Sequence, residues 1–113
     1  MGMVTRKMKE SIADRKHRLF SERGYRCENC GSMSANDYQI HHCLFHNVSK
    51  PLNIKKLVNE DFNLMIVCQA CHPFCNGYKV RCLFWAKQVI RYGIEVMMAW
   101  WERVPYKDKP KFW

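Results

Sequence analysis

The side chains with most chemistry to offer are seven cysteines and five histidines in a chain of 113 residues. Four of the cysteines form two pairs, Cys27-x2-Cys30 and Cys68-x2-Cys71, with 37 residues between them. Two such turns can present four thiolates to one tetrahedral ion, the arrangement Zn²⁺ prefers. In a reducing compartment paired cysteines read as metal ligands ahead of disulfides, and the odd total argues the same way. The competing reading, four buried or redox cysteines, is a weaker match to the paired spacing. Cys43, Cys75 and Cys82 are left over. Cys82 falls on an apolar helix stripe, while Cys75, four residues after Cys71, ranks as a substitute ligand below the four. Between and beside the pairs lie His41-His42, Asn63 and His72. An imidazole, with an ordinary pKa of about 6.5, serves as a base at neutral pH or as a metal ligand. Any one of these residues alone would be read as an ordinary structural or loop residue.

These residues need elements to hold them. Ser11-Ile-Ala-Asp14 has the form of a capping box and Gly24 suits a left-handed helix terminus, so a helix is predicted from about Ser11 to Arg23, with a mostly basic face. The first cysteine knuckle follows, then Tyr38-Gln-Ile-His-His42, short and strand-like. Residues 43 to 60 show no sustained period and contain Pro51 and three asparagines, which suits a long loop. Leu64-Met-Ile-Val67 is a compact apolar run leading into the second knuckle, either a strand or a buried helical turn. From about Tyr78 to Glu102 one long amphipathic helix is predicted. Val80, Phe84, Ile90, Ile94, Met97 and Trp101 form its stripe, widened by Cys82, Val89, Val96 and Trp100, and Arg81, Gln88, Arg91, Glu95 and Glu102 lie opposite. So wide an apolar face needs cover from the protein's own core or from a second copy. The tail from Pro105 to Trp113 reads as extended.

Length allows one α+β domain: a basic N-terminal helix (1–26), a zinc-closed core (27–76), and a C-terminal helix and tail (77–113). The formal charge is +9. Residues 1–26 and 77–113 each carry eight Lys/Arg against three acids, whereas 27–76 carry three against four. Two basic flanks around a near-neutral centre fit a polyanionic partner, with DNA the obvious candidate, although solubility alone can produce a sizeable net charge. No run of about 18 apolar residues appears, so no membrane span is expected. A polar, basic start without an apolar core argues against secretion, and a cytoplasmic protein is expected.

Taken together, Cys-Glu-Asn-Cys-Gly at 27–31, Ile-His-His at 40–42 and Asn-Leu-Met-Ile-Val-Cys-Gln-Ala-Cys-His at 63–72 resemble the zinc-containing branch of the HNH nuclease family, also called ββα-metal or His-Me finger nucleases. The resemblance covers about Cys27 to Asn76. It implies a ββα core closed by a four-cysteine zinc site and gripping one catalytic divalent metal: Mg²⁺, Mn²⁺, Ni²⁺ or Zn²⁺. His42 would be the general base, His41 and His72 the metal ligands, with His72 at the start of the family's α-helix. Asn63 would hold the long loop and the base through backbone hydrogen bonds. Asn76, one helical turn after His72, would add a metal or phosphate contact. His46 is either another such contact or an ordinary loop histidine. The family's loop after the histidine pair often carries a glycine-rich turn, and Cys43-Leu-Phe-His-Asn-Val-Ser-Lys50 has no glycine. Adjacent residues of a regular strand point to opposite faces, so the resemblance requires the strand to end or bulge at His41-His42.

Phosphodiester hydrolysis needs an activated water, a Lewis acid and groups that hold the backbone in line, and this residue set can supply them. The leading expectation is an endonuclease of phage or mobile-element type acting on DNA, with Arg15, Lys16, Arg18 and Arg23 contacting phosphates. Two alternatives remain. One is a non-catalytic zinc module that binds nucleic acid or protein. The other is an assembly or packaging accessory whose aromatic C-terminal helix pairs with a partner or a second copy.

Overall fold

The computed structural model describes residues 10–34, 37–45, 56–105 and 109–113. His46 and most of the long loop lie outside the described residues. Helix α1 spans Ile12–Glu22, with Ser11 at its N-cap accepting from the Asp14 amide at 3.0 Å. It ends where expected, because Gly24 takes φ +99°, a conformation costly for residues with a Cβ. Strands β1 (Tyr38–His42) and β2 (Leu64–Cys68) pair antiparallel, with Tyr38 opposite Cys68 and His42 opposite Leu64. A 3-10 turn, Asp61–Asn63, leads into β2, and a second, His72–Phe74, follows it.

All five residues of β2 are buried. The apolar run does not alternate because both faces of the sheet are covered. Leu64 and Ile66 pack with Leu19 of α1 and with Ile40. Met65 and Val67 face the main core, which includes Phe45, Val58, Phe84 and Trp100.

The long C-terminal helix is two helices, α2 (Tyr78–Tyr92) and α3 (Ile94–Arg103). The break is at Gly93, whose φ of +96° carries the chain out of the α-helical region while its amide still closes α2 on the Val89 carbonyl. A stripe drawn through the break therefore misplaces residues on both sides of it. Ile90 is 84% exposed, and Ile94 and Val96 are also exposed, whereas Gln88, assigned to the solvent face, is fully buried. Gln88 Nε2 donates to the Asp61 and Phe62 carbonyls at 3.1 and 2.9 Å, so burial leaves its amide bonded. The cover for the aromatic face comes from the chain itself: Phe112 is buried against Trp85 and Trp101. Among the described residues no helix is long and apolar enough to cross a membrane.

Candidate metal centre and histidine cluster

The knuckles meet at one end of the sheet. Cys68 closes β2, and the first knuckle is tied beside that strand by the Glu28 amide on the Ile66 carbonyl at 2.8 Å and the Ile66 amide on Glu28 Oε2 at 2.7 Å. The Sγ atoms of Cys27, Cys30, Cys68 and Cys71 lie within 4.8 Å of one another. Four sulfurs tetrahedral about Zn²⁺ at the usual bond length sit about 3.8 Å apart. The Cys30 to Cys68 separation is 3.8 Å. These four cysteines can hold a metal ion, and soft thiolates favour zinc. Burial would raise the Cys27 thiol, but backbone N–H groups of Cys30, Cys68 and Asn29 outweigh it and bring the pKa down to about 7. Cys75, the reserve candidate, is outside the cluster: its Sγ contacts the Cys71 carbonyl at 3.3 Å and burial pushes its thiol up to about 11. Burial likewise pushes Cys43 up to about 12.

Glu28, inside the first knuckle, is a residue the sequence does not single out. Its carboxylate is 2% exposed and pairs with Arg23 at 2.9 Å and Arg91 at 2.6 Å, and Lys87 Nζ donates to its carbonyl at 2.6 Å. One knuckle is thereby attached to the end of α1, to β2 and to α2.

β1 pairs in register through both histidines without a bulge and ends at His42, so of the two expected irregularities the strand has the end and not the bulge, and the two rings diverge. His41 turns toward the second 3-10 turn, with Nε2 3.0 Å from the Cys75 carbonyl and its ring edge-to-face with His72 at 5.2 Å between centroids. His72 Nδ1 lies 2.5 Å from Gln39 Oε1. His42 points to the α1 side, with Nε2 2.9 Å from Asn59 Oδ1. Asn59 also lines a cleft of about 860 Å³ between α1 and the C-terminal helices, walled by Ile12, Phe62, Tyr92 and Val96.

His72 starts a three-residue 3-10 turn rather than an α-helix. Pro73 can begin a turn because it needs no donor there, but the chain leaves the turn at Cys75 and is extended at Gly77, and α2 starts only at Tyr78. Asn76 is therefore not one helical turn after His72. It is exposed, between the turn and α2.

Asn63 is fully buried at the base of the excursion between the strands. Oδ1 accepts from the Leu44 and Phe45 amides at 2.8 Å, and Nδ2 donates to the Phe45 and Val58 carbonyls at 2.7 and 2.8 Å. Arg81 of α2 adds bonds to the Cys43 and Leu44 carbonyls at 3.1 and 3.0 Å. Both ends of the excursion are thus anchored to one amide, and one of them also to α2.

The α1 arginines are engaged within the fold. Arg18 pairs with Glu10 and, through two nitrogens, with Asp61. These partners raise its pKa, and Arg18 in turn holds the Glu10 carboxyl below its ordinary value. Arg15 bonds Glu10 and the Asn59 carbonyl. Arg23, 3% exposed, bonds Glu28, the Leu64 and Asp61 carbonyls and Tyr92 Oη. The expectation that Arg23 reaches phosphate is corrected by this burial. The Lys16 side chain makes no ion pair or hydrogen bond among the described residues and remains a candidate contact.

Comparison with protein-family models, with curated proteins and with solved structures finds no match in any of the three. The chain is a small α+β fold, two antiparallel strands between helices, with a four-cysteine cluster able to hold a metal ion.

Proposed function

We propose that the protein is a metal-dependent endonuclease of the HNH type, hydrolysing DNA phosphodiester bonds inside the cell, with zinc in the four-cysteine cluster as a structural ion. The observation that carries this is the edge-to-face pair of His41 and His72 at 5.2 Å on one face of a sheet whose end the cysteine cluster closes. Those two imidazoles would hold the catalytic cation, which when bound supplies Lewis-acid stabilisation of charge on the scissile phosphate. His42 acts as base. Its Nε2–H donates to Asn59 Oδ1, so the neutral ring carries its lone pair on Nδ1, and that nitrogen takes the proton of the attacking water. Because His41 and His42 leave β1 on opposite faces, the phosphate lies across the strand end, where Cys43 departs from the sheet. Asn63 keeps that departure rigid, and a rigid scaffold matters because small misplacements of reacting groups lower rates steeply.

The test is conversion of supercoiled plasmid with Mg²⁺, Mn²⁺ or Ni²⁺ by wild type, His72→Ala and His42→Ala. Wild type should cleave with at least one ion, His72→Ala should need much more metal, and His42→Ala should bind DNA but cleave at least about 100-fold more slowly. Wild-type rates in His42→Ala would refute the base.

A second reading, a non-catalytic zinc module binding nucleic acid or protein, is favoured by one observation. Among the described residues the four cysteines form the only cluster of three or more metal-ligating side chains, and the histidines contribute a pair. Absence of cleavage with every ion, together with retained DNA binding, would select it.

A further inference from the structure

Gln39 precedes His41 by two residues on β1, so strand alternation puts both side chains on one face. Its amide makes two hydrogen bonds of different kinds. Nε2 lies 3.3 Å from Asp37 Oδ2. An ionised carboxylate only accepts, so this end of the amide must be the NH₂ group. The other end, Oε1, is then a carbonyl oxygen, and it lies 2.5 Å from His72 Nδ1. Next to an acceptor that nitrogen carries the proton, and in the neutral ring the lone pair resides on Nε2. His41 is the complement: Nε2 faces the Cys75 carbonyl, so its lone pair resides on Nδ1.

We infer that Gln39, oriented by Asp37, is a positioning residue that fixes His72 as the Nδ1–H tautomer and so presents Nε2 to the divalent cation of the proposed site. The inference rests on the metal-site assignment made above. Partners of this kind set the tautomer and ring angle of ligating histidines, and their loss typically lowers metal affinity roughly 10–100-fold. Gln39 is assigned no contact with the reacting atoms, and its action is through His72 alone.

The experiment uses the zinc-loaded full chain and two readouts: the His72 tautomer from long-range ¹H–¹⁵N spectra, and Ni²⁺ affinity by calorimetry with zinc retention checked by metal analysis. Wild type should show Nδ1–H. Gln39→Leu should lose it and bind Ni²⁺ roughly 10–100-fold more weakly, while Gln39→Glu, which keeps an acceptor, should restore both. Asp37→Ala, an exposed change that touches no histidine, should move the tautomer ratio toward Nε2–H, and it carries the test if Gln39→Leu fails to fold. Persistence of Nδ1–H in both Gln39→Leu and Asp37→Ala overturns the inference whatever the metal does. A wild-type chain with the expected tautomer but no Ni²⁺ binding beyond the cysteine site overturns the metal-site assignment, and the inference with it.

Discussion

Replacing Asn63 by alanine removes one side chain and strips four main-chain groups of their partner: the amides of Leu44 and Phe45 and the carbonyls of Phe45 and Val58. Asn63 is fully buried, so water does not reach these groups without opening the excursion. A buried polar group left without a partner costs about 1–3 kcal/mol. With the lower bound for each, since relaxation recovers part, the variant should lose about 4 kcal/mol, a large share of the roughly 5–15 kcal/mol that holds a domain folded. Asn63→Asp separates the two halves of the clamp. It keeps acceptors for the two amides but sets oxygen against the two carbonyls, so it should also be destabilised. Denaturant unfolding of the zinc-loaded protein, followed by tryptophan fluorescence, measures the loss at constant m-value, with the exposed Asn76→Ala as control. Amide exchange at Leu44 and Phe45 locates it. A loss below about 1 kcal/mol in both variants, with those amides still protected, would refute the idea that one amide anchors the excursion.

Three further outcomes are expected. Metal analysis after mild chelation should find about one zinc per chain, and Cys30→Ser or Cys71→Ser should lose it together with cooperative unfolding, because metal binding and folding are one equilibrium in such sites. Glu28→Ala strands Arg23, only 3% exposed, and should cost about 3–5 kcal/mol by denaturant unfolding, whereas Glu22→Ala, at the exposed Arg18 pair, should cost under about 1 kcal/mol. Since Arg18 and then Arg15 hold the folded Glu10 carboxyl below its ordinary value, its contribution is present at neutral pH and is lost as pH falls through that lowered value. Glu10→Gln should therefore flatten the acid side of a stability–pH curve and leave its slope above about pH 6 unchanged.

Local signals make part of this fold legible. The Ser11 cap, Gly24, both strands and the four cysteines follow from rules that operate within a few residues or from paired spacing. Gly93 is a local signal that the apolar pattern hides: apolar residues continue on both sides of it, and periodicity says nothing of a positive φ. Gln39 is also within reach, since it shares a strand face with His41. Glu28, Arg23 and Arg91 are not. Their pairing joins residues 28, 23 and 91 through the fold, and an isolated Glu within Cys-Glu-Asn-Cys looks like any exposed loop acid until its neighbours are known. A count of basic residues in α1 likewise overstates the charge turned outward, because Arg15, Arg18 and Arg23 are paired with Glu10, Asp61 and Glu28, and Arg15 and Arg23 also bond carbonyls distant in the chain.

Phe112 sits under the Arg81 guanidinium, 5.0 Å from its carbon to the ring centroid, and the same guanidinium holds the Cys43 and Leu44 carbonyls just after the histidine pair. A push on residues 109–113 is thus two contacts from the backbone that follows His42. A load coupled to Trp113, such as an affinity tag, a fluorescent protein or a surface-coupling linker, pulls on that backbone, while a load on Glu10 reaches His42 by a different route, through Arg15 and Asn59. Trp113 itself, half-exposed and stacked on Trp85 at 5.3 Å, would report the disturbance as a change in emission before any activity was measured.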